Sequence, residues 1–321
     1  MRAVSLLLRR RGATPTVVRV ASRGYVAPKD GFDAAETEKA IGALQRLLRN
    51  ELSEQSFDDA LNTAEELRSL ARDAYGSTGN TILAAALNDS ALVHKGRREF
   101  ETAVELLVEA VRQYDSCGLR NHPSSATALH NMGVAYKEHA QAPETGALER
   151  VSLLDRAAEC LVEANERRAA RTDDDTIRRA VATTRVVLAS VRRLQKRIAD
   201  ARDEIDEALA VLRVVDTTIA SRTALATALN NAAYFEKQDG NDADASKLYH
   251  EALDLRETVL GPEHPQTIAT LHNIAELHEA FGRLDQANAV RRNILRRLGV
   301  EGDDRDDATT TTPPAIPTPQ G

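Results

Sequence analysis

The sequence predicts an all-α fold, an α-solenoid of about six helical hairpins. Three observations carry that prediction: a composition of helix formers, a short motif that returns with a 42–44 residue period, and paired alanines seven residues apart. Aromatic residues make up 3% of the 321 residues and Trp is missing, while Ala, Leu, Glu, Asp and Arg are abundant. Val and Ile stand singly or in pairs at helical spacing rather than in alternating runs between turn residues, so no sheet is expected.

The repeat is read from two marks. Leu129-His130-Asn131 returns as Leu271-His272-Asn273, and His122-Pro123 returns as His264-Pro265, both displaced by 142 residues. Leu229-Asn230-Asn231 precedes the last copy by 42 residues, and Leu87-Asn88 precedes Leu129 by 42. These mark the first helix of a hairpin. The second is marked by Ala103/Ala110, Ala157/Ala164, Ala201/Ala208 and Ala245/Ala252, two helical turns apart and therefore on one face, where small side chains let a neighbouring helix approach. Ala60 and Ala287 hold the first of these positions in the outer copies, with Leu67 and Ile294 at the second.

Taken in order, residues 1–25 form a basic segment, 26–36 a linker, 37–300 the repeat array and 301–321 a tail. The array divides into hairpins at 37–75, 80–117, 123–171, 173–215, 221–260 and 265–299. Gly76, Gly79, Gly118, Gly261 and Pro262 punctuate unit boundaries, Gly240 and Gly282 the hairpin turns, and Pro123 and Pro265 suit the first turn of a helix, where a missing N–H costs nothing. In the third unit Leu129 lies 28 residues before Ala157, against 16 in the second, fifth and sixth, so twelve extra residues fall within 137–156, around Pro143 and Gly146. They are expected to form a projecting loop.

Residues 1–29 carry Arg2, Arg9, Arg10, Arg11, Arg19, Arg23 and Lys29, with no acid before Asp30. A positive amphipathic helix of this kind is what mitochondrial import acts on, and Arg23-Gly24-Tyr25 resembles a processing site with Arg two residues before the terminal Tyr. Cleavage after Tyr25 removes six Arg and leaves 36 basic against 49 acidic residues, a net charge of -13. Such an acidic body argues against general binding of a phosphate backbone. The run Glu301–Gly321, an acidic cluster followed by Thr and Pro, has almost nothing apolar to bury and is expected to be disordered.

The run Leu229-Asn230-Asn231-Ala232-Ala233, Gly240, Ala245, Tyr249, Ala252-Leu253 and Leu260-Gly261-Pro262-Glu263-His264-Pro265 resembles the kinesin-light-chain type of tetratricopeptide repeat. The fifth and sixth units carry the resemblance most fully, and the fourth departs from it, with Arg185-Val186-Val187 in place of Leu-Asn-Asn. The resemblance implies a right-handed solenoid whose first helices line a concave groove that takes an extended partner segment. The residues it places there are Asn88, Asp89, His130, Asn131, Asn230, Asn231, His272 and Asn273. Their amides either grip a peptide backbone or tie neighbouring helices together. Lys95, Lys137 and Lys237, eight residues after the leucines, lie on the same side and suit an acidic segment.

No enzyme signature is legible: there is no phosphate loop, dinucleotide turn or nucleophile elbow. No cofactor and no metal is expected, since His272 and His278 are six apart and point to different sides of a helix. Cys117 and Cys160 have neither metal nor redox spacing. No run of 18 apolar residues exists, so no transmembrane segment is expected, although peripheral membrane contact is compatible with the sequence. The expected function is a non-enzymatic scaffold or assembly factor for protein partners in the mitochondrion, in the matrix or on the matrix face of the inner membrane. A fixed structural subunit of a large mitochondrial assembly is the alternative. A helical-repeat RNA binder fits less well, because the period is longer than that of base-reading repeats and the body is acidic.

Overall fold

The computed structural model of the chain describes residues 28–169, 174–215 and 218–299. The expected transit segment with Arg23 and Tyr25, and the tail 301–321, lie outside them. Among the described residues there are twelve α-helices and no strand. They are α1 (Ala34–Ser53), α2 (Phe57–Tyr75), α3 (Thr81–Gly96), α4 (Phe100–Ser116), α5 (Pro123–Ala140) and α6 (Ala147–Arg168). There follow α7 (Asp175–Leu194), α8 (Ile198–Leu212), α9 (Ile219–Gln238), α10 (Asp242–Leu260), α11 (Pro265–Ala280) and α12 (Leu284–Arg297). Consecutive pairs are helical hairpins, which makes the fold a helical repeat of six. The helices fall in two compact units, α1–α8 up to Val215 and α9–α12 from Asp216 onward.

Local chemistry starts and stops these helices. Asp33, Asn80 and Asp174 accept from backbone N–H groups of the first turns of α1, α3 and α7. His122 and His264 do the same through Nδ1, each ahead of a first-turn proline, as the paired His-Pro motif predicts. Five of the hairpin turns are three residues long, and the middle residue of each is left-handed: Gln55, Arg98, Lys196, Gly240 and Gly282. Glycine takes that conformation without strain, whereas the three side chains do so at a small cost.

The marked alanines define the packing face. Ala60, Ala103, Ala110, Ala157, Ala164, Ala201, Ala208, Ala245, Ala252 and Ala287 have no exposed surface. Opposite them each first helix after α1 places a small residue four positions after its mark: Ala91, Gly133, Ala189, Ala233 and Ala275, all buried. Small on small lets the axes approach. Larger residues fill the space between hairpins. In the first unit Leu67, Leu87, Leu107 and Leu129 share one cluster, and Leu154, Leu161, Leu188 and Val191 another. The second unit packs Tyr249 with Ile274 and Leu277, and Ile268 with Leu271 and Ile294.

The extra residues of the third hairpin are mainly helix. The first alanine is the fourth residue of its helix in α2, α4, α8, α10 and α12, but Ala157 is the eleventh of α6. Two additional turns therefore precede it. The turn 141–146 is anchored: Ala142 and Thr145 are buried, Thr145 Oγ1 donates to the His139 carbonyl at 2.6 Å, and Arg150 Nε donates to that of Ala140 at 2.9 Å. A projecting loop was expected because Pro143 and Gly146 punctuate the segment. The run Ala147–Ser152 continues as helix because it has helix formers and no breaker.

Candidate functional site

On the first helices of the first unit, α3 and α5 bring Asn88, Asp89, His130 and Asn131 onto adjoining turns. Asn131 Nδ2 donates to Asn88 Oδ1 at 2.8 Å, and Asn88 Nδ2 donates to Asp89 Oδ1 at 3.4 Å. The second unit repeats the rung, with Asn273 Nδ2 donating to Asn230 Oδ1 at 2.9 Å. Both bonds span 43 residues, one repeat. Each rung thus commits one donor and one acceptor to holding neighbouring first helices in register. Asn231 is half-buried and has partners of its own, while His272 is exposed.

Asp89 lines a cavity of about 270 Å³ with Gln45 and Arg49 of α1, Asn88 of α3, Tyr114 of α4 and Ser124 and Thr127 of α5. Burial raises the pKa of the Asp89 carboxyl, and the Asn88 amide and the Arg49 charge oppose that rise. His130 Nδ1 lies 2.9 Å from Thr184 Oγ1 on α7. Burial, reinforced by Arg168, Lys137 and Lys95, brings its pKa down to about 4, so the ring is neutral at physiological pH.

The lysines differ from one another. Lys95 pairs with Glu138 at 3.2 Å and Lys237 with Glu276 at 3.0 Å, each acid belonging to the next first helix. The Lys137 ammonium makes no ion pair or hydrogen bond with a described residue. Its pKa is lowered, chiefly by burial, and Lys95 and Arg193 lower it further while Glu138 opposes them. Arg193 stands eight residues after Arg185, the register of Lys95 and Lys137 in their units. Three successive first helices therefore place a cation at one register.

Sequence reasoning passed over the buried arginines. Arg167 donates to Asp115 at 2.9 and 3.3 Å, to Glu163 at 2.8 Å and to Ser125 Oγ, joining α4, α5 and α6. Arg168 donates to Thr184 Oγ1 of the following hairpin at 2.7 Å and to Thr127 Oγ1 of its own at 3.4 Å. Arg256 repeats this, donating to Thr270 Oγ1 and the Gln266 carbonyl of the next hairpin and to Thr227 Oγ1 at 3.4 Å. Burial brings both guanidinium pKa values down to about 10. A signal was present in the sequence: Glu163-Ala164 and Glu251-Ala252 each precede such an arginine at the same spacing. Among the described residues no group of three or more His, Cys, Asp or Glu could hold a metal, and no helix is long and apolar enough to cross a membrane.

These repeats have known counterparts. Residues 224–290, from α9 into α12, match the family model of the tetratricopeptide repeat. The chain carries tetratricopeptide repeats, as its motifs implied. BtubC (BKLC) from P. vanneervenii has the same fold, with a TM-score of 0.50 at 17% identity over 89% of this chain and 99% of that one. The apo form of the quorum sensor NprR from B. thuringiensis gives a TM-score of 0.61 at 12% identity, over 83% of this chain and 66% of that one. Both likenesses concern the fold alone. The "Clustered mitochondria protein homolog" of Meyerozyma guilliermondii is 40% identical over 60 residues, which are 19% of this chain and 5% of that protein.

Proposed function

We propose that the chain is a non-enzymatic scaffold or assembly factor that holds a segment of a partner protein against its first helices. Tetratricopeptide repeats mediate protein–protein contacts, and this reading rests on their presence. The observation that carries the proposed groove is Lys137, a half-buried ammonium without an ion-pair partner among the described residues, flanked in register by Lys95 and Arg193. A desolvated cation between two others favours an incoming carboxylate. The groove residues are Asn88, Asp89, His130, Asn131, Lys95 and Lys137 in the first unit, and Asn230, Asn231, His272, Asn273 and Lys237 in the second. The place of action is the mitochondrion, in the matrix or on the matrix face of its inner membrane. The basic segment 1–25 and the name of the 60-residue relative support that placement.

Proximity labelling in intact cells, with the natural chain and with Lys137→Glu, tests both parts. The natural chain is expected to label mitochondrial proteins, and Lys137→Glu to lose a specific subset while its melting curve is retained. Labelling confined to the cytosol would sink the localisation. An unchanged labelled set with Lys137→Glu would sink the groove. Asn131→Ala separates the amide's two roles, since a loss of stability with unaltered binding per folded molecule would assign it to the rung with Asn88 alone.

A further inference from the structure

In α6 and α10 the second helix of the hairpin uses positions among the fourth, eighth and eleventh after its first alanine to receive the first helix that follows, α7 and α11. In α10 these are Tyr249, packed with Ile274 and Leu277, Leu253, packed with Ile268 and Leu271, and Arg256, bonded to Thr270. In α6 they include Leu161, packed with Leu188 and Val191, and Arg168, bonded to Thr184. At the eleventh position Ala71, Tyr114, Arg168 and Arg256 are no more than 5% exposed. The same positions on α12 and its C-terminal cap are Arg291, Leu295 and Leu298, where Leu295 is 45% and Leu298 52% exposed. Arg291 is held by Glu279 at 2.6 Å, and Arg292 and Arg296 are exposed one step further round the helix, with no ion-pair partner among the described residues.

We propose that this face of α12 is a docking site for an amphipathic helix of another protein. The docking helix has the pattern of a repeat's first helix, apolar toward Leu295 and Leu298 and acidic toward Arg291, Arg292 and Arg296. The register supplies the shape and the three arginines supply the charge preference. Residues 300–321 are a poor occupant by sequence. Before the first of Pro313, Pro314 and Pro317 they offer only Val300 and Ala308 as apolar side chains, and two such residues cannot cover a pair of leucines. A second copy is disfavoured as well, because it would set Arg291, Arg292 and Arg296 against their own equivalents. The site is separate from the first-helix face and stands without the groove reading.

The test uses the full chain and, as probe, a fluorescent helix-stapled peptide with the α11 sequence 265–281, which has Ile268 and Leu271 on one side and Glu276 and Glu279 toward its end. Anisotropy is expected to show binding that weakens at high salt. Leu295→Asp with Leu298→Asp should weaken it roughly tenfold or more, as should Arg292→Glu with Arg296→Glu, whose exposed positions leave folding untouched. Reversing the probe's charges by Glu276→Lys and Glu279→Lys should weaken it too. No binding, or binding by either double variant as tight as that of the natural chain, overturns the proposal. A rise of tenfold or more on deleting residues 301–321 would overturn it by making the chain's own tail the occupant. A dimer in sedimentation that Leu295→Asp dissociates would overturn it in favour of a second copy.

Discussion

A Cβ placed on Gly133 would stand 2.6 Å from Leu161 Cγ and 3.0 Å from the Ala157 carbonyl oxygen, nearer than such atoms approach one another. Alanine in a helix gains roughly 0.5–1 kcal/mol over glycine from backbone entropy. Here overpacking of a fully buried leucine wins, so Gly133→Ala is expected to destabilise by about 1–3 kcal/mol in urea unfolding. His130 sets a pH dependence. Its folded pKa of about 4 lies below the unfolded value of 6.5, so its contribution is complete above pH 6.5 and is lost as pH falls toward 4. The loss approaches roughly 3 kcal/mol, softened by Asp89, whose raised pKa shifts stability the opposite way. Unfolding titrations should show this slope flattened in His130→Gln. An equally steep slope would place the sensitivity elsewhere. The sequence left both roles open for Asn131 and Asn273, and their rung partners Asn88 and Asn230 could not be read from it, because an amide's partner one repeat away is visible only once the helices are side by side.

The hairpins themselves were legible, since Leu-His-Asn and the alanine pairs mark the two faces that must meet, and each of these alanines is buried. The third hairpin was legible only in its length. Proline and glycine signal a turn, but they do not say where helix resumes, and two turns of α6 occupy most of the space allotted to a loop. On those turns Leu148 is 91% and Val151 59% exposed. Leu148→Asp and Val151→Asp are therefore expected to change stability by no more than about 0.5 kcal/mol each in thermal or urea unfolding. A cost above about 2 kcal/mol in either would mean that these side chains are covered in solution.

For the molecule as a whole, the kinesin-light-chain-type signature is fullest in the fifth and sixth hairpins, within the residues that match the tetratricopeptide family model. The fourth hairpin lacks that signature and keeps the architecture. There Arg185 stands where the leucine mark would be, and its guanidinium pairs with Glu204 and Glu207 of α8 at 2.6 Å, while Val186 and Leu188 are buried beside it. An ion pair on the outer edge with apolar residues inside satisfies the same packing as the motif, so hairpin formation survives its loss.

Two of the hairpin junctions carry the same arginine-to-threonine link, which makes the hairpins they bound interchangeable parts. Arg168 meets Thr184 as Arg256 meets Thr270, with the same register on each side. A chain in which residue 168 is followed directly by residue 257 would present Arg168 to Thr270 and omit two whole hairpins. It is expected to fold as a four-hairpin array with one cooperative melting transition, because every neighbour then receives a partner of the kind it already has. Two separate transitions, or loss of helicity, would mean that each junction is fitted to its own pair alone. If the splice holds, the array can lengthen or shorten by whole hairpins at these two junctions without redesign, a ruler whose matching graduations are one arginine and one threonine.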